Sequence, residues 1–199
     1  MSTQIVLQDV SGPLTDFFKK LESDQGGEWL RGFKKFLRKE NPWQKLETFM
    51  EVEIGAYRSV KALRKALGEA SMQVSSWADD ILDKTKLSRS KKVLELVVMS
   101  VKELGFSEGA HYRQICEVAK NFGLELCPAE VGPYLRLQYQ DQPKDEWLSI
   151  AMEAISDSDG DLRVFYVHRY GDYHWLYVSY GRPDYFWSSF NRFVFVRRK

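Results

Sequence analysis

The 199-residue chain has only two cysteines, Cys116 and Cys127, and three histidines, His111, His168 and His174. Two cysteines are too few for a disulfide framework and lie too far apart for a CxxC site. They are expected as buried small hydrophobes, with a single bridge between them left open. No HExxH, Cys/His cluster or paired His at ligand spacing occurs, which argues against a transition-metal site. GxGxxG, P-loop and GxSxG patterns are also missing, so no phosphate cradle or nucleophile elbow is marked, and no cofactor is expected. No apolar run approaches the roughly 20 residues a membrane helix needs. Met1 leads into polar sequence without a basic n-region or apolar h-region, so no membrane insertion and, by default, a cytoplasmic location are expected. Net charge is +1, which gives no whole-molecule pull toward nucleic acid.

What is present is globular: 44% hydrophobic and 14% aromatic residues, enough for one generous domain or two small ones. Residues 3–9 suggest a short strand or arm. After Ser11-Gly12-Pro13, Leu14, Phe17, Phe18 and Leu21 fall on one helical face. Trp29, Leu30, Phe33, Phe36 and Leu37 repeat that pattern, with Arg31, Lys34, Lys35, Arg38 and Lys39 largely opposite, up to a stop at Asn41-Pro42. A strand or extended crossing ending at Gly55 follows. Helices are expected after Ser59 and at the Ser cap before Trp77. The charged run 84–92 marks a junction, dividing a mostly helical N-terminal region, 1–90, from a domain at 91–199. In that domain a strand over 94–101, a helix over 111–121 capped by Ser107, and a helical turn from Pro128 precede several antiparallel-looking strands. The fold class is α+β.

Residues 156–198 have a different vocabulary. Of the first 155 residues 44 are Lys, Glu, Gln or Met, and this segment has none, although it carries 13 of the chain's 28 aromatics. A plain core sheet explains the aromatics. It does not explain the lack of Ile and Thr, or the Asp, Asn and Gly that strands avoid. Rigid aromatics among small polar residues make up the vocabulary of binding paratopes. Within the segment Asp157-Ser158-Asp159-Gly160-Asp161 looks like the start of a calcium loop, but its Gly stands fourth instead of sixth and His168 occupies the twelfth position. A polar turn is the better reading. Paired carboxylates for hydrolysis could come from Asp172, Asp184 or Glu153, though nothing in the sequence pairs them. A nucleic-acid partner would use the basic stretch 31–45 and the terminal aromatics, against the repulsion of Asp161, Asp172 and Asp184.

The 123–139 stretch GLELCPAEVGPYLRLQY, the 160–165 stretch GDLRVF and the closing RFVFVRRK resemble the variable protein of a diversity-generating retroelement. The resemblance covers about residues 92–199. It implies a C-type-lectin-like domain, two helices packed on short antiparallel strands, ending in a hypervariable region at about 164–192. In that family an error-prone reverse transcriptase rewrites template adenines, largely in AAY codons, which can never become Lys, Glu, Gln, Met or Trp. The resemblance implies scaffold positions at Val164, Phe165, Val167, Trp175, Leu176, Pro183, Trp187, Phe193 and Phe195. The implied ligand-facing positions on the strands are Tyr166, His168, Arg169, Tyr170, Asp172, Tyr173, His174, Tyr177, Ser179 and Tyr180. In the segment that follows they are Arg182, Asp184, Tyr185, Phe186, Ser188, Ser189, Phe190 and Asn191. The implied function is non-enzymatic binding of a macromolecule, with protein as the leading partner class. Unlike calcium-dependent lectins, the sequence offers no ion loop, so calcium-mediated sugar binding is not expected.

Overall fold

The computed structural model describes residues 7–38 and 46–198, with side chains from residue 10 onward. Of the strand or arm expected at 3–9, residues 3–6 lie outside the described residues and 7–9 are helical instead. The Asn41-Pro42 stop, Lys39 and the rest of the basic stretch to 45 also lie outside the described residues. Contacts divide the chain into two compact units, residues 1–45 with 121–123, and residues 46–120 with 124–199. The boundary therefore falls near residue 45 and not at the expected 84–92. The reason is pairing: the strand at Met50–Ile54 is hydrogen-bonded along the strand at Lys92–Ser100, so the intervening helices belong to the larger unit.

The first unit holds α1 (Leu7–Leu21) and α2 (Gly26–Leu37). Helix α1 starts upstream of the expected break and runs through Pro13. Proline costs one backbone hydrogen bond there, but Val10, Leu14, Phe17 and Leu21 keep a single apolar face across it. The rings of Phe17 and Phe33 meet at 4.6 Å between the two helices.

The larger unit is α+β. Its strands are β1 (Met50–Ile54), β2 (Gln73–Val74), β3 (Lys92–Ser100), β4 (Ala110–His111), β5 (Leu124–Glu125) and β6 (Trp147–Ile150). They continue with β7 (Ile155–Ser156), β8 (Leu162–Tyr170), β9 (Tyr173–Tyr180), β10 (Phe186–Trp187) and β11 (Arg192–Arg197). The helices are α3 (Val60–Glu69), α4 (Ser76–Asp83), α5 (Tyr112–Ala119) and α6 (Val131–Gln138). The main sheet has the order β1-β3-β11-β6-β8-β9-β2, with β5 beside β11 and β7 beside β8; β4 and β10 form a separate pair. Among the described strand pairs, only β11–β6 and β2–β9 are parallel.

Helix starts follow their caps. The hydroxyls of Ser59 and Ser75 accept the Ala62 and Ala78 backbone N–H groups at 3.2 Å each. Ser107 does not cap α5. His111 stands at that position, its N–H donated to the Gln114 side chain at 3.0 Å. The core lies between the sheet and α6, whose residues Val131 to Arg136 are all buried. Gly132 allows the closest approach, since a Cβ there would sit 2.7 Å from Cβ of Phe165. Odd-numbered residues of β8 therefore face α6 and even-numbered ones face away.

Candidate binding surface

Strands β6, β8 and β9 carry a continuous set of rings on the face turned away from α6. Register pairs Tyr166 with Tyr177, His168 with Trp175 and Tyr170 with Tyr173, and Trp147 of β6 lies opposite His168. Trp175 and Tyr177 stack at 4.8 Å and 12°, and Tyr177 stacks on Tyr166 at 5.3 Å and 22°. Trp147 adds a tilted contact to Tyr166 at 5.5 Å, and His168 reaches Tyr170 at 6.2 Å. Ser179, opposite Val164, continues the same face. No Lys, Arg, Asp or Glu stands among these positions. The rings are half-buried against one another, while Trp147, Tyr170 and Tyr173 are exposed. Burial, followed by the neighbouring Tyr177, raises the Tyr166 phenol above its ordinary pKa. The hairpin that joins β8 to β9 turns through Gly171 at φ +59° and Asp172, a two-residue loop in which glycine supplies the positive φ. Asp172 at its tip pairs with Lys144 at 3.0 Å, and that hydrogen bond holds its carboxyl below the usual range.

The segment from 182 to 191 is built differently. Its backbone is held by hydrogen bonds, while more than half of its side chains are exposed. Carbonyls of Pro183 and Tyr185 accept the Arg113 and Tyr112 N–H groups at 3.1 and 3.0 Å, at the start of α5. These amides are among the donors a helix start leaves without an intrahelical partner. Nδ1 of His111 lies 2.8 Å from the Asp184 carbonyl, and its ring meets Phe186 edge-on. Farther along, carbonyls of Ser189 and Asn191 accept the Lys102 and Val101 N–H groups at 2.9 Å. Arg182, Asp184, Phe186 and Ser188 are exposed on this fixed backbone, and Phe190 is 82% exposed. Tyr185 and Asn191 are half-buried. Tyr180 joins the strand to this segment through its ring contact with Tyr185 at 5.3 Å.

Of the residues expected as scaffold, Val164, Phe165, Val167, Leu176, Trp187, Phe193 and Phe195 are buried. Trp175 is half-buried and part of the ring set, and Pro183 is exposed. Of the residues expected to face a ligand, Ser189 is buried. Arg169 and His174 are cross-strand partners on the face toward α6, as the odd-numbered register of β8 dictates. Tyr180, opposite Arg163, shares that odd-numbered side, and Asp172 lies in the hairpin turn. The remaining positions divide between the β6-β8-β9 ring face and the 182–191 segment. Trp147 lies outside the expected variable segment. Its signal was local: buried Leu148 and Ile150 leave Trp147 and Ser149 on the opposite face of a strand.

The 157–161 turn uses its carboxylate internally. Asp157 accepts the Asp159 and Asp161 N–H groups at 3.0 and 2.8 Å, and Nε of Arg163 at 2.7 Å. Burial alone would raise the Asp157 pKa, but the Arg163 and backbone bonds carry it below the usual range. Arg163 in turn lies over the Tyr180 ring at 4.2 Å. Cys116 and Cys127 are both free thiols. A cleft of about 480 Å³ is lined by Lys84, Lys86, Pro128 and Glu153 among others, and no group of three His, Cys, Asp or Glu that could hold a metal occurs among the described residues. No helix among the described residues is long and apolar enough to cross a membrane. Comparisons of the chain with protein-family models, curated proteins and solved structures return no match.

Proposed function

We propose that this chain is a non-enzymatic binding protein, the variable protein of a diversity-generating retroelement. It presents an aromatic surface to a macromolecular ligand of the protein class from a C-type-lectin-like scaffold. The observation that carries this reading is the 182–191 segment, whose backbone is pinned by α5 and by residues 101 and 102 while most of its side chains are exposed. Such a backbone tolerates many side chains without refolding, which a diversified surface requires. The Trp147, Tyr166, Trp175 and Tyr177 set supplies rigid contact area at low entropic cost, with hydroxyls and His168 for hydrogen bonds. A ring surface with no lysine or arginine favours a protein over a nucleic acid, whose phosphates need cations.

Sequencing the gene with its surroundings tests the proposal. A template repeat nearby, mismatched to codons 166–191 almost only at adenines, is expected beside a reverse transcriptase gene. A locus with neither overturns the reading.

A further inference from the structure

Beneath the β8–β9 hairpin lie two guanidinium groups, Arg136 and Arg169, that form no ion pair with a carboxylate among the described residues. A charge of opposite sign acts on Arg169 from Asp172 at the hairpin tip, which is itself paired with Lys144. Arg136 of α6 is 0% exposed. Its Nη1 donates to the side-chain oxygen of Gln142, and its Nη2 to the Tyr139 carbonyl. Arg169 of β8 reaches the same glutamine from the other side, its Nη1 donating to the Gln142 carbonyl at 2.8 Å. His174 stands opposite Arg169 in the register. Each of the three leaves one buried nitrogen without a partner among the described residues: Nε of Arg136, Nε of Arg169 and Nε2 of His174. Gln142 is itself buried and spends its amide N–H groups on the Glu146 and Val167 carbonyls, so it offers these nitrogens nothing.

An unpaired charge in a protein interior is among the most costly features a fold can carry. Here two cations meet on one uncharged residue. Burial pushes the Arg136 guanidinium down to about 10, with Arg169 adding to the shift. Burial, then Arg136 and Arg169, also lowers the pKa of His174. Water can satisfy a stray N–H group but cannot neutralise charge. A small anion does both.

We infer that the Arg136, Arg169 and Gln142 cluster under the β8–β9 hairpin is a binding site for a monovalent anion, a halide or a carboxylate. The anion accepts from the two Nε–H groups and faces His174. Because Arg169 and His174 are only partly buried, the site is reached from the hairpin side. A free halide and the carboxylate of a bound partner are both sources of this chemistry. The inference does not depend on the binding function proposed above.

Bromide tests it directly, because it scatters anomalously. Crystals of the full chain grown in bromide should show an anomalous peak within hydrogen-bonding reach of both Nε atoms. In solution, replacing methanesulfonate with bromide at constant ionic strength should raise Tm by roughly 2–4 °C once the site fills, and Arg169→Gln should abolish that rise. Acetate in place of bromide reads the carboxylate arm: a matching rise means the site accepts a partner's carboxylate, and no rise restricts it to halide. Density for water alone at the site, or the same bromide response in Arg169→Gln, overturns the proposal. If Arg169→Gln fails to fold, Arg169→Lys, which keeps the charge and loses Nε, replaces it, and the anomalous peak decides alone.

Discussion

Trp175 lies flat against Tyr177, with ring centroids 4.8 Å apart and planes within 12°, two residues along one strand. The stack continues across to Tyr166, so a residue expected as scaffold and two expected as display form one structure. Trp175 thus backs the two tyrosine rings within the stack.

The rings at Tyr166, His168, Tyr170, Tyr173 and Tyr177 face away from α6 and leave the core untouched. Replacing all five with serine should cost roughly 2 kcal/mol, from cross-strand pairs worth about 0.2–1 kcal/mol each. The variant should keep its near-ultraviolet signal from buried Trp187 and unfold cooperatively. A molten or aggregated product would show that the rings are core.

Gly132 of α6 packs against the Phe165 side chain of β8 with no room for a Cβ between them. Phe165→Ala should lose about 3–5 kcal/mol as a cavity opens beneath the hairpin. Gly132→Ala should lose about 1–3 kcal/mol for the opposite reason, since a methyl group meets the Phe165 side chain. Urea titration of both separates the core from the display face. Losses below about 0.5 kcal/mol in both would contradict this packing.

Asp157 has a folded-state pKa below its unfolded value. Its contribution to stability is therefore complete above the ordinary carboxylate range and is lost as pH falls through the lower, folded value. Asp157→Asn should be less stable than the parent at neutral pH, and the gap should close on acidification. A gap that widens toward low pH would reverse the assigned sign. Because Arg163 links this turn to the Tyr180 ring, the same variant should increase hydrogen exchange around residue 180.

Cys127 is fully enclosed and donates its thiol to the Val194 carbonyl at 3.3 Å, and burial raises the Cys116 thiol to about 11. Neither is a ready nucleophile, since the thiolate is the reactive form. Ellman's reagent should find two thiols in urea and react slowly, if at all, with the folded chain. Tm should not change on adding a reductant. A reductant-dependent Tm would point to a bridge.

The Gly-, Pro- and Asp-bearing loops of the last 40 residues set apart the strand-like pieces that form β8, β9 and β11, because such residues favour turns and break strand pairing. Ser59 and Ser75 announced α3 and α4 by the hydroxyls that cap them, and the missing Lys, Glu, Gln and Met singled out the terminal segment. Local pattern could not find where the larger unit begins, since that depends on β1 pairing with β3 across about 40 residues of chain. Nor could composition separate Arg169 and His174 from Tyr170 and Tyr173. All four sit in one hairpin with the same vocabulary, and only the register turns the first two toward α6 and the rings of Tyr166 and Tyr177 away from it. The sequence by itself determined which residue types would be displayed and roughly where. Tertiary structure decided which of them share a face, because side-chain direction in a sheet is set by strand pairing, and pairing is a long-range choice.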